Sequence, residues 1–159
     1  MARPNPLRSL MQSSLPSITE QRKRCYRPSK REVNKIYNLI NRYIFNSKLK
    51  RPKLNLGQRR HCWGICSGLY EPSSTGAYCE ISLSDKWFCI QWCITVLAHE
   101  MVHQYQWEVE GWHKLREGKY SIMNHSSSFY KWRKALARYD IPLHKQFPSY
   151  RWFQNQSFT

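Results

Sequence analysis

The sequence has few acidic residues and no long apolar run. Of its 159 residues, 10 are Asp or Glu against 26 Lys or Arg, which gives a formal net charge of +16 at pH 7. No stretch approaches the roughly 18 apolar residues that a transmembrane helix needs, so a membrane-spanning chain is excluded. The first 24 residues also lack the apolar core of a secretory signal. We therefore expect a protein that is neither secreted nor partnered with a membrane.

The six cysteines lack the spacing of a zinc knuckle. Cys62 and Cys66 are separated by three residues rather than two, and so are Cys89 and Cys93. Because no secretory signal is visible, we expect reduced, mostly buried thiols and a cytoplasmic or nuclear protein.

Positive charge is concentrated at both ends of the chain. Residues 1–60 carry a net charge of +14, residues 61–110 of −5 and residues 111–159 of +7. An excess of this size predicts a polyanionic partner, and DNA, single-stranded or bound without sequence preference, is the first candidate. The predicted contact residues are basic side chains of the first 60 residues: Arg22, Lys23, Arg24, Arg27, Lys30, Arg31, Arg59 and Arg60. Candidate base-stacking residues are Trp112, Tyr150 and Trp152, with Trp63 and Trp107 favoured as core.

Three regions are predicted along the chain. Residues 1–27 are rich in Pro, Ser and Arg without an apolar period, which indicates a mobile basic arm. Residues 28–142 form a domain that opens with a capping box, Ser29 with Glu32, and a helix to about Asn46. Residues 143–159 form a basic, aromatic tail. We expect a monomer.

The domain is predicted to have an α+β fold in the order helix, three strands, two helices. The strands are predicted to form an antiparallel-type sheet, and the helix after it is apolar nearly all round and therefore buried. The predicted strands are Lys53–Leu56, His61–Cys66 and residues 77–83. The central helix is predicted from Ser84-Asp85 to Val109 or Glu110, and the C-terminal helix from Ser126 or Ser127 to Pro142.

The central helix carries the pattern His-Glu-x-x-His at residues 99–103. Residues i and i+4 lie one above the other on a helix, so His99 and His103 can bind one Zn²⁺. Glu100 can act as the general base on a water at the metal without being a ligand. An apolar, buried helix does not accommodate these polar groups without a function. A sheet followed by such a helix is typical of zincins.

A catalytic zinc ion needs a third protein ligand. The candidates are His125, His113, Glu108 and Glu110. We favour His125, because it stands directly before a helix that can dock on the central one. His61 and His144 are expected at the surface or in contact with DNA.

The segment from about Ser29 to Asp140 resembles the SprT-like metalloprotease domain of the Spartan and SprT families. The resemblance rests on ordered motifs: Cys62-Trp63-Gly64-Ile65-Cys66, Glu80-Ile81-Ser82-Leu83-Ser84, His99-Glu100-Met101-Val102-His103-Gln104-Tyr105 and His125-Ser126-Ser127-Ser128-Phe129. It implies a zincin-like fold with His125 as the third zinc ligand. No cysteine follows Cys93, so the resemblance is to a single-domain member without a C-terminal zinc ribbon.

The resemblance implies proteolysis of proteins that are bound or crosslinked to DNA. The leading hypothesis is therefore a zinc-dependent endopeptidase, associated with DNA and holding one catalytic zinc ion. The alternative is a non-catalytic, zinc-stabilised DNA-binding module, which has no need of Glu100. A third hypothesis, another zinc hydrolase such as a nuclease, is disfavoured because two-metal nucleases need more carboxylates.

Overall fold

The computed structural model describes residues 4–73, 76–114, 120–121 and 124–145. Within them the chain has the predicted α+β architecture. The helices are α1 (Pro6–Met11), α2 (Ile18–Arg22), α3 (Lys30–Tyr43), α4 (Ile90–Glu108), α5 (Ser127–Tyr130) and α6 (Arg133–Ala137). The strands are β1 (Lys53–Gly57), β2 (Gly64–Glu71), β3 (Gly76–Ser84) and the two-residue β4 (Tyr120–Ser121).

The sheet is mixed, with the strand order β1-β3-β2-β4. β1 runs parallel to β3, with Leu54 opposite Ile81, whereas β2 runs antiparallel to β3 and to β4. The prediction of an antiparallel-type sheet is therefore wrong for β1. The chain runs from β1 to β2 and turns back in the β2–β3 hairpin. β3 therefore lies beside β1 and runs in the same direction.

Helix α4 crosses the sheet and lies at the centre of the core. Sixteen of its residues are buried, as its apolar composition predicts. It begins at Ile90 rather than near Ser84, because Ser84 is the last residue of β3 and its hydroxyl accepts a hydrogen bond from the Lys86 backbone at 3.3 Å. Trp87 then pairs with Tyr26 in an isolated β-bridge. At the other end, α4 is followed by Gly111, whose φ of +80° is a left-handed conformation that glycine adopts readily.

Composition predicts a mobile arm over residues 1–27, but residues 4–27 contain two short helices and pack on the rest of the chain. The Asn5 side chain caps α1 by accepting from the Leu7 and Arg8 backbone at 3.0 and 3.2 Å. Leu7 and Met11 are completely buried, because their i, i+4 spacing puts both on one face of α1, against α3 and α4. Residues 4–27 therefore belong to the packed domain.

The C-terminal part is also more packed than expected. The predicted single helix is divided into α5 and α6, of which Phe129 and Leu136 enter the core. Leu143, assigned to the tail, is 2% exposed, and its carbonyl accepts from Arg133 Nη2 at 3.3 Å. The packed structure thus continues past Pro142. The tail beyond residue 145 lies outside the described residues.

None of the helices in the described part of the chain has both the length and the hydropathy of a membrane-spanning segment.

Candidate metal centre

Two glycines let β2 approach α4 closely enough to form the site. A Cβ at Gly64 would lie 3.2 Å from Glu100 Cγ and 2.9 Å from Val96 Cγ1, and a Cβ at Gly68 would lie 2.4 Å from the Trp107 ring. A larger residue at either position would force these side chains out of their places. The glycines therefore place the middle of α4, with its polar motif, directly against β2.

The three predicted histidines converge. His99 Nε2 lies 3.2 Å from His103 Nε2 and also 3.2 Å from His125 Nε2. The first two side chains share a face of α4, and the third comes from the residue that leads into α5. Their ligand atoms all lie within 4.8 Å of one another.

This donor set fits a metal ion. Three imidazole nitrogens at about 2.0–2.1 Å from a tetrahedral ion would be about 3.3–3.4 Å apart, close to the 3.2 Å found for the two pairs that include His99. Burial lowers the pKa of His99 and brings that of His103 to about 4. The imidazoles are therefore neutral at physiological pH, which is the state that binds metal.

Phe129 forms an apolar support behind the histidines. Its ring centroid lies 4.9 Å from that of His99, 4.8 Å from that of His103 and 4.7 Å from that of His125. Because α5 follows His125 immediately, one short segment supplies both the third histidine and this support.

Glu100 lies beside the histidines and is 6% exposed. Burial raises the pKa of its carboxyl to about 8, while the Cys66 backbone N–H and the charge of Arg59 act in the opposite direction. The Glu100 side chain is therefore held against β2 at the Gly64–Cys66 segment. A buried carboxyl next to three convergent imidazoles has the arrangement of a general base beside a metal.

The other candidates for the third ligand are engaged elsewhere. His113 Nδ1 lies 2.7 Å from the Trp107 carbonyl oxygen, and the His113 ring stacks on Tyr70. Glu108 accepts from the Lys50 backbone at 3.0 Å, and Glu110 forms a salt bridge with Lys131.

Sequence reasoning did not find two residues that contact the histidines. Gln106 Oε1 lies 2.9 Å from His103 Nδ1, and its i+3 position relative to His103 was a usable signal. His144 was expected at the surface or in contact with DNA, but it is half-buried, and its backbone lies close enough to His99 to act on the pKa of that imidazole. No local pattern indicated that second contact.

The predicted nucleic-acid contacts lie in the N-terminal half of the chain, and one of them, Arg59, is close enough to Glu100 for its charge to lower the pKa of that carboxyl. All except the half-buried Arg59 are exposed, and Arg24 lies over the Trp63 and Phe88 rings, 4.7 and 5.4 Å from their centroids. Trp63 is half-buried and Trp107 is buried, as the core alternative predicted. Trp112 is half-buried as well. Tyr150 and Trp152 lie outside the described residues.

Four of the six cysteines are buried, namely Cys66, Cys79, Cys89 and Cys93, whereas Cys25 and Cys62 are exposed. All six are free thiols, as expected for a chain with no disulfide framework.

The α+β fold and the three-histidine site define a zincin-like, metalloprotease-like domain. The family model of the SprT-like family matches residues 33–146, which is most of the chain, and the protein therefore belongs to that family. No curated protein and no solved structure gives a significant match.

Proposed function

We propose that the protein is a zinc-dependent endopeptidase that acts on proteins bound or crosslinked to DNA. The observation that carries the enzymatic part is the buried Glu100 carboxyl beside His99, His103 and His125. A site that only stabilised the fold would need the histidines but not this carboxylate, whose burial is costly. This distinction favours an enzyme over a non-catalytic, zinc-stabilised DNA-binding module.

The three histidines would hold the zinc ion through their Nε2 atoms. When bound, zinc supplies a Lewis acid that polarises the scissile carbonyl and acidifies a water molecule. Glu100 accepts a proton from the attacking water as the new C–O bond forms. It then delivers the proton to the amide nitrogen, which leaves as an amine when the C–N bond breaks. A cation held by the three neutral histidines would favour the ionised form of Glu100 that this role requires.

The edge of β2 offers a place for an extended peptide. Among the described residues, β4 pairs with Ser67 and Gly68, and no described strand pairs with the Gly64–Cys66 segment on that side of β2. A peptide can add to such an edge through main-chain hydrogen bonds. Because this segment contacts Glu100, a peptide bound there would pass the carboxylate, which supports endopeptidase activity.

The association with DNA is supported by the charge distribution. Residues 1–60 have a net charge of +14. Most of the basic side chains predicted to contact DNA in this region are exposed. Such side chains bind phosphates without reading sequence and release counterions. The residues of the metal centre contribute little to this positive surface.

The test compares wild type with Glu100→Gln. Wild type should hold about one zinc ion and cleave casein or histone. Glu100→Gln should keep zinc but cleave at least about 100-fold more slowly, because the amide cannot accept the proton. Retained cleavage in this variant would refute the mechanism. Zinc binding and DNA binding without any cleavage by wild type would instead establish the non-catalytic module.

Single-stranded DNA is the second variable of this experiment. Cleavage of a DNA-bound protein should rise when single-stranded DNA is present, whereas cleavage of a short free peptide should change little. If DNA changed the cleavage rate of neither substrate, the protease activity would stand, but the proposal that its substrates are bound to DNA would be contradicted.

A further inference from the structure

Gln106 is a completely buried polar residue on α4 that the His-Glu-x-x-His pattern leaves unassigned. It lies three residues after His103, on the same side of the helix. Its Oε1 is 2.9 Å from His103 Nδ1, and its Nε2 is 2.8 Å from Ser128 Oγ and 3.2 Å from the Asn124 carbonyl oxygen. One amide group thus contacts both α4 and the segment that carries His125.

The orientation of this amide follows from its partners. A carbonyl oxygen can only accept, so the Gln106 –NH₂ group must face Asn124 and the Oε1 atom must face His103. His103 Nδ1 must then carry the proton that it donates to Oε1. The lone pair of the neutral imidazole is consequently on Nε2, which faces His99 and His125.

The –NH₂ group of Gln106 restrains the segment that carries the third histidine. Asn124 and Ser128 flank His125 in sequence, and Gln106 binds both of them. His103 and His125 are 22 residues apart, and closing a connection of that length costs chain entropy. Two hydrogen bonds at its far end restrict where His125 can lie relative to α4.

We propose that Gln106 is a positioning residue of the metal centre, which couples the orientation of His103 to the placement of His125. This inference rests on the metal site of the proposed function. It assigns Gln106 a role in metal affinity that its neighbour Gln104 does not have.

Gln104 supplies a matched control on the same helix. It is also completely buried, and it hydrogen-bonds the Lys50 carbonyl at 2.8 Å, Glu108 at 2.9 Å and Tyr37 at 3.0 Å. None of the hydrogen bonds described for Gln104 is to one of the three histidines or to a residue next to His125. Replacing either glutamine with Met removes a comparable set of buried hydrogen bonds, so both variants should lose stability.

The measurement is the zinc dissociation constant, by competition with a chelator at fixed pH. Gln106→Met should weaken zinc binding about 10–100-fold, the range for partners of metal-ligating histidines, whereas Gln104→Met should change it less than about threefold. The absorption spectrum of the Co²⁺-substituted protein should shift in Gln106→Met only. Ser128→Ala, a milder change, should weaken binding less, and adding it to Gln106→Met should cause little further weakening because both remove the same hydrogen bond.

Two results would overturn the inference alone: wild-type zinc affinity in Gln106→Met, or equal weakening in the two glutamine variants. If Gln106→Met does not fold, unchanged zinc affinity and Co²⁺ spectrum in Ser128→Ala would do the same. A wild-type protein that binds neither zinc nor Co²⁺ would refute the metal centre itself, and with it the proposed function.

Discussion

Helix α4 carries buried polar side chains of two kinds, and they are satisfied in different ways. One side of α4 carries a hydrogen-bonded network, called the brace here, that joins α3 and the segment before β1 to α4. It consists of Tyr37, Lys50, Gln104 and Glu108. Each donor in the brace meets an acceptor at 2.7–3.0 Å. On the other side, three nitrogen atoms of the same kind converge at the histidines.

The difference teaches how a site can be told from a structural network when both are buried. In the brace, hydrogen-bond donors are paired with acceptors of the protein itself, so the network needs no ligand. Three imidazole nitrogens directed at one point cannot all be satisfied by one another, but a cation satisfies them together. The histidine side is therefore recognised by its like groups, which lack complementary partners, rather than by burial or polarity.

The largest effect is expected on the metal side, from His125→Ala. Removing one of three ligands should weaken zinc binding more than about 100-fold, since even residues that only orient ligands contribute 10–100-fold. His113→Ala, which removes the bond to the Trp107 carbonyl but no ligand, should bind zinc as wild type does. The opposite ranking in a chelator competition would identify His113 as the third ligand.

The next effect concerns the N-terminal segment, which supports α4 from a third direction. Gln91 Nε2 donates to the Ser13 carbonyl at 2.8 Å, while Leu7 is completely buried. Leu7→Ala should lower the free energy of unfolding by about 2 kcal/mol or more, and Leu15→Ala, at an exposed position, by less than about 0.5 kcal/mol. Urea denaturation distinguishes them. Equal stabilities would mean that α1 does not contribute to the fold.

A smaller effect is expected in the brace. Tyr37→Phe removes the hydroxyl that lies 2.7 Å from the Lys50 carbonyl and 3.0 Å from Gln104 Oε1. The free energy of unfolding should fall by about 1–2 kcal/mol, and zinc affinity should not change. If Tyr37→Phe weakened zinc affinity without lowering stability, the brace and the three histidines would be coupled through α4.

The smallest effect is expected from the exposed basic side chains. Replacing Arg22, Lys23 and Arg27 together with Gln should weaken DNA binding a few-fold at moderate salt. The dependence of log K on log salt should fall by up to about 0.7 for each phosphate that is no longer neutralised. Arg24 is left in place because it lies over Trp63. Zinc affinity and stability should be those of wild type. An unchanged salt slope would contradict the proposed DNA-binding residues.

The parts of the fold that sequence predicts well are those whose signals are local. The Ser29–Glu32 capping box, with its two hydrogen bonds at 2.6 and 3.2 Å, is determined within four residues. The i, i+4 spacing of His99 and His103 likewise fixes their common face. The convergence of His125 with them was expected from its place before a docking helix and from the family resemblance.

The parts that sequence does not predict depend on distant contacts. The N-terminal segment looks disordered by composition, yet Leu7 and Met11 suffice to dock α1 once α3 and α4 provide a surface. Deleting residues 1–27 would therefore disturb the core and is a poor test of DNA binding. The parallel pairing of β1 with β3 has no local signature, because alternation of side chains does not specify a partner strand.

The close contact of β2 with α4 has a consequence for how this protein can vary. Gly64 and Gly68 allow the short distance between strand and helix, because a single methyl group at either position would collide with side chains of α4. Gly57, by contrast, has no atom within 4 Å of the place where a Cβ would stand. Variation in this sheet should therefore be tolerated at the edge formed by β1, whereas the separation between Glu100 and β2 is held constant by the absence of two side chains.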